Sequence, residues 1–171
     1  MKKNFFIFFL ALSMSFALTA CQSPAEKFSE KASEKMAEKA IENAVGGNAD
    51  VDVNGDNVNV NTKEGNVQVG EKISLPADFP KDVYVYEGTI KAVISNNSPK
   101  GYTVSIETDK AIADIKAAYE KKIVEDGWEN TGVMDFGDSA SISGKKDNRM
   151  ISVMIGKSDD KTSIVLGVNE Q

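Results

Sequence analysis

The chain has no His and a single Cys, Cys21, so the residue types that most often act as general base, thiol nucleophile or transition-metal ligand are missing or confined to one position. Ser-His-Asp and zinc mechanisms are thereby excluded. Ser143, Gly144 and Lys145 fall on an expected strand without the surroundings of a Ser-Lys nucleophile. No Gly-rich phosphate loop stands between a strand and a helix. The expectation is a chain that is not an enzyme and carries no cofactor.

Oxygen-bearing side chains are plentiful, and their spacing decides what they can do. Asp50, Asp52, Asn54 and Gly55 match the opening of a calcium loop, with Asp56 adding a further oxygen. The twelfth position, however, is Asn61, where a bidentate Glu is required. A nonapeptide calcium roll would need paired glycines that are absent. No metal site is assigned, and calcium stays open only as an alternative. Asp135 and Asp138 around Gly137, and Asp159 with Asp160, sit where hairpin turns are expected and read as turn residues. Three aromatic residues are candidate contacts. Tyr84 and Tyr86 share one side of an extended segment whose other side carries Val83 and Val85, so burial of the valines would expose the tyrosines. Trp128 follows Gly127 and serves either as a ligand platform or as an anchor of a helix end on the sheet.

The surroundings of Cys21 are specific. Lys2 and Lys3 precede an apolar run from Phe5 to Leu18 broken only by Ser13 and Ser15. That run is shorter than the roughly 20 residues a bilayer-spanning helix needs, and it has the three-part pattern of a secretory signal. Leu18, Thr19, Ala20 and Cys21 then resemble the lipobox of bacterial lipoproteins. The resemblance implies a diacylglyceryl group on the Cys21 thiol, cleavage between Ala20 and Cys21, and often an acylated new amino terminus. The partner would then be a membrane, reached through acyl chains, with the chain held outside the cytoplasm on the cell membrane or the outer membrane. Gln22, in place of the inner-membrane retention Asp, favours the outer membrane in a host with two. An ordinary secretory signal with a free or disulfide-bonded Cys is the alternative. Loss of residues 1–20 removes two lysines and no acids, taking the formal charge from -6 to -8. Such a chain disfavours nucleic acid as a partner.

Four segments would carry these groups: a signal peptide over 1–20, a lipid anchor and spacer helix over 21–47, a β-meander over 48–72, and an α+β domain over 73–171. Ser23, Pro24 and Glu26 form a capping box at the start of the helix, and Gly46 with Gly47 supplies its stop. Glu and Lys each recur every four residues along it, while the stripe of Phe28, Ala32, Met36 and Ala40 drifts around the helix, as suits a solvated spacer. The meander comes from a nine-residue repeat of Val alternating with Asn, Asp or Gln. A turn at Gly55 and Asp56 pairs Val53 with Val58 and Val51 with Val60, and one at Glu64 and Gly65 pairs Thr62 with Val67 and Val60 with Val69. Every Val then lies on one face, which must pack on something.

The stretch from Leu75 to Gly88, with Leu75-Pro76, Asp78, Phe79-Pro80 and Val83-Tyr84-Val85-Tyr86, resembles a phrase of uncharacterised small bacterial envelope lipoproteins. It departs from their usual Val-Pro-Val-Tyr. Over roughly residues 50–171 the resemblance implies a small antiparallel α+β domain. Alternation places strands near 89–95, 101–107, 128–136, 139–145, 149–156 and 162–168. A helix over about 110–126 takes Thr108 or Asp109 as cap, Ile112, Ile115, Tyr119 and Ile123 as its apolar stripe, and Gly127 as its stop. The expected class is α+β: an antiparallel sheet with one helix packed on a face, preceded by a β-meander and an N-terminal spacer helix. The expected function is a non-enzymatic, lipid-anchored envelope protein in binding or accessory contact with another envelope protein. The alternatives are a small-ligand or calcium binding module, and an assembly or inhibitory subunit.

Overall fold

The computed structural model describes residues 26–44, 49–71 and 73–171, so Ala20, Cys21 and the capping residues Ser23 and Pro24 lie outside the described residues. Residues 33–171 form one compact unit. It contains the C-terminal part of α1 (Glu26–Ala44) and nine strands: β1 (Asp50–Asn54), β2 (Asn57–Asn61), β3 (Gly65–Val69), β4 (Thr89–Asn97), β5 (Lys100–Thr108), β6 (Glu129–Asp135), β7 (Ser139–Lys146), β8 (Arg149–Ser158) and β9 (Lys161–Glu170). The 14-residue α2 (Ile112–Glu125) separates β5 from β6. All strand pairings are antiparallel, in the order β1-β2-β3-β4-β5-β9-β8-β7-β6.

This architecture corrects the α+β class expected from the sequence. The meander does not precede a separate sheet: Val67 pairs with Ile94 and Gln68 with Val93, so β1–β3 extend the sheet of β4–β9. The result is a mainly β molecule, one nine-stranded sheet with α2 gripped on one face. Nor is the anchor-side helix wholly a spacer. Glu38 accepts the backbone N–H of Val53 at 3.3 Å and Glu34 that of Gly55 at 2.9 Å, which occupies one donor of the edge strand β1 and one of the turn that follows it.

Cross-strand partners share a face, so the register exposes a second feature. One row runs Asp52, Asn59, Gln68, Val93, Val104, Leu166, Val153, Ile142, Val133 across all nine strands. On this face Val93, Val104, Leu166, Val153 and Ile142 are fully buried, against Ile115, Tyr119 and Ile123 of α2. The opposite row runs Val53, Val58, Val69, Ala92, Ser105, Val165, Met154, Ser141, Met134. Sheet polarity therefore reverses between β3 and β4: the α2 side is apolar in β4–β9 and amide-lined in β1–β3.

Local chemistry sets the joints. The first hairpin has the expected two-residue turn, with Gly55 at φ 57°. The second differs by two residues, pairing Val60 with Val67 and Val58 with Val69. Thr62 causes this: its hydroxyl accepts the N–H groups of Glu64 and Gly65, closing a longer loop. A shift of two leaves every Val on the same face. At the start of α2 the N-cap is Ala111 without a side-chain cap, one turn element later than Thr108 or Asp109. Thr108 instead accepts the Lys110 N–H at 3.4 Å, while the Lys110 carbonyl accepts the Thr162 hydroxyl at 2.7 Å. At its end Gly127, φ 80°, lets its own N–H reach the Val124 carbonyl and that of Trp128 the Ile123 carbonyl, the paired bonds of a Schellman stop.

Candidate functional site

The residues singled out from sequence separate into two packed clusters. Trp128 is a core anchor, 3% exposed. Its indole N–H donates to the Asp82 carbonyl at 2.9 Å, and the Arg149 guanidinium lies 5.0 Å from its ring centroid. The Asp82 carboxylate accepts two bonds from Arg149, at 3.0 and 2.7 Å, and one from Lys146 at 2.7 Å. Lys146 also donates to the Asp126 carbonyl just before Gly127. The hydrogen-bonded Arg149 holds the Asp82 carboxyl well below the usual carboxylate range, with Lys146 adding to the effect and partial burial opposing it. This cluster clamps the segment before β4 to the end of α2 and to β7 and β8.

Tyr84 and Tyr86 form the second cluster with Tyr119 of α2. Val83 is buried as expected, yet the two tyrosines are half-buried. Tyr84 meets Tyr119 edge-on at 5.3 Å and Tyr86 stacks on it at 6.2 Å. The Tyr119 hydroxyl accepts the Tyr86 N–H at 3.3 Å, and burial pushes its phenol far above the ordinary range. Much of the tyrosine surface is thus spent on α2.

A concavity that the sequence reading did not single out lies on the amide-lined end of the sheet. It is an open cleft of about 380 Å³ lined by Asp52, Asn54, Asn57, Asn59, Gln68 and Glu71, with Ile73 and Ser74 from the segment that follows β3. Its volume is within the roughly 300–1,000 Å³ usual for small-ligand sites. The signal was present in the nine-residue repeat, whose polar half supplies the floor while its Val half supplies the other face. Gly70 allows the wall to close in, since a Cβ there would stand 2.3 Å from the Asn57 side-chain oxygen. Asn66 is already engaged, donating to the side-chain oxygens of Asn59 and Asn61 at 2.6 Å. Among the described residues the side-chain amides of Asn54, Asn57 and Gln68 make no hydrogen bond, and Glu71 pairs with Lys91 at 3.8 Å.

A smaller concavity of about 120 Å³ lies between Asp78, Lys100, Tyr102, Arg149 and Asn169. Its charged groups are mutually satisfied: Tyr102 donates to Asp78 at 2.6 Å and Lys100 lies 3.2 Å from the same oxygen. Asp135, expected in a turn, accepts the Gly137 N–H and pairs with Lys116 at 2.7 Å. No helix among the described residues is long and apolar enough to cross a membrane.

No curated protein and no solved structure matches the chain significantly. A family model described as START domain-like matches residues 89–162, from the first residue of β4 into β9, which supports a binding module at that coarse level and leaves β1–β3 outside the match.

Proposed function

We propose that this chain is a non-enzymatic binding protein of the cell envelope, exported and held at a membrane by acyl chains on Cys21, with the amide-lined cleft of β1–β3 as its binding surface. The observation that carries the binding reading is the cleft itself, a polar face in an open concavity of about 380 Å³, with three side-chain amides that make no hydrogen bond among the described residues. The START domain-like match over residues 89–162 supports binding at the coarse level only, since it includes no residue of the cleft. The residues Leu18 to Cys21 support the anchor, and two acyl chains suffice for stable attachment where one does not.

Intact mass and membrane fractionation of the native protein, beside a Cys21→Ala variant, test the anchor. The expected result is an acylated, membrane-bound wild type and an unprocessed or mislocalised variant. A soluble, unlipidated wild type that begins beyond Cys21 would overturn the anchor. The binding surface is tested separately, by whether any added ligand protects β1–β3 from hydrogen exchange.

A further inference from the structure

We infer that the sheet edge at β6 is a self-association surface, on which a second copy of this chain docks through its own β6 across a two-fold axis at Met134. The two edges of the sheet differ in their cover. At β1 the carboxylates of Glu34 and Glu38 take up backbone donors, whereas β6 has no neighbour on its outer side among the described residues. It carries no Lys, Arg or Pro to discourage pairing. Large apolar side chains stand in solvent there instead, Met134 at 55% exposure and Phe136, just after the strand, at 65%.

The register selects the occupant. The Phe136 N–H donates to the Ser139 carbonyl, so bonding toward β7 falls on alternate residues, and the N–H and C=O groups of Val133 and Asp135 point outward. A bulge between Asn130 and Gly132 ends the regular run, which leaves residues 132–136 to pair. Two antiparallel copies meet there with Val133, Met134 or Asp135 on the axis. With Asp135 on the axis, like charges stand directly opposite each other. With Val133 on it, Asp135 faces the bulged Thr131. With Met134 on it, Val133 of each copy lies opposite Asp135 of the other, and each such pair exchanges its outward backbone bonds. Asp135 brings no uncompensated charge, since Lys116 pairs with it at 2.7 Å. The same register lays Phe136 against the partner's Gly132, where nothing stands within 4 Å of a Cβ position, so that an aromatic ring covers an edge glycine. Gly132, Met134 and Phe136 share the face away from α2, on which the row from Met134 continues through Ser141 to the exposed Met154. A foreign strand could take the outward bonds, but a second copy supplies the glycine and the ring at matching spacing, each used twice, as an isologous contact requires.

Sedimentation equilibrium of the purified full chain, in density-matched detergent, tests the contact. The wild type is expected to dimerise reversibly in the micromolar range, as suits a contact at the small end of interface sizes. Met134→Lys, at an exposed position, sets two like charges on the axis and should weaken association about tenfold or more, with the circular dichroism spectrum unchanged. Cysteine cross-linking reads the register independently. Opposed residues of a non-hydrogen-bonded pair stand about 4.5 Å apart at Cα, inside the roughly 4.4–6.8 Å that a disulfide spans. The two copies of position 136 are more than about 13 Å apart in the same register. Mild oxidation should therefore give a covalent dimer from Met134→Cys and none from Phe136→Cys, with the wild type, whose one thiol position is Cys21, as the control. A wild type that stays monomeric throughout the micromolar range overturns the inference, as does a dimer that Met134→Lys leaves intact. Failure of Met134→Cys to cross-link beyond the wild type, or cross-linking that favours Phe136→Cys, overturns it as well.

Discussion

Replacing Asp82 by Asn tests the clamp that ties the segment before β4 to α2 and the sheet. The wild-type carboxylate accepts three charge-assisted bonds, two from Arg149 and one from Lys146. Bonds to charged groups contribute roughly 1.5–3 kcal/mol each when shielded. Here the three side chains are between 19% and 32% exposed, so solvent screens them. Asp82→Asn keeps the shape and loses the charge, for an expected loss of about 2 kcal/mol at pH 7, or about 6 °C in Tm for a unit of this size. The pH dependence supplies the sign. Because the folded carboxyl titrates below its ordinary value of 3.8, the stabilisation is fully present above that value and is lost as pH falls through the lower folded one. Urea denaturation followed by Trp128 fluorescence should therefore show a wild-type-minus-variant gap that is constant from neutral pH to about pH 5 and narrows below about pH 4. A gap under about 0.5 kcal/mol, or one that is the same at every pH, would refute the clamp as an ionic device.

Tyr119→Phe should cost about 1–2 kcal/mol, because the Tyr86 N–H loses its acceptor; thermal melting checks it. The same phenol, raised above its ordinary 10.0 by burial, gives stability that is fully present below that value and lost as pH rises beyond it, a loss the Phe variant should lack. Gly65→Ala would put a Cβ 1.9 Å from the Ser95 carbonyl oxygen, so a destabilisation of about 2 kcal/mol or more is expected, read as faster amide exchange in β1–β3 before β5 and β9 are affected. Glu34→Ala with Glu38→Ala should speed exchange of the Val53 and Gly55 amides about tenfold or more, by removing their acceptors; unchanged rates at those two amides would show that α1 does not guard the edge.

Strand and helix positions were largely legible, and the reason is periodicity. Alternation of Tyr102, Val104 and Ile106, or of Ile151, Val153 and Ile155, admits one buried face, and the structure buries it. The Gly55–Asp56 turn was legible because a two-residue loop leaves one register. The next register was missed because a single hydroxyl, Thr62, outweighed the shorter loop. The fold class was missed for a deeper reason. Val alternation says which side of β1–β3 is apolar, but nothing local says that this side is opposite to the apolar side of β4, so one sheet read as two structures. The tyrosines show a related limit. Alternation predicted that they would point away from the buried valines, yet the segment 83–86 pairs with no strand, and α2 supplies Tyr119 to meet them. The amides of the cleft were visible as a repeat, but their grouping with Ile73 and Ser74 depends on the path of the chain after β3.

A sheet that keeps a single apolar side needs a broader cover for each strand it gains. Turning the apolar side over at the β3–β4 seam removes that requirement, and the buried cluster under α2 accordingly contains no residue of β1, β2 or β3. The outer strands are an accretion: they bring their own small apolar side, borrow backbone pairing from β4, and ask nothing of the interior. Their polar side can consequently change residue by residue, lengthening, shortening or altering its amides, while α2 and the strands beneath it stay packed as they are.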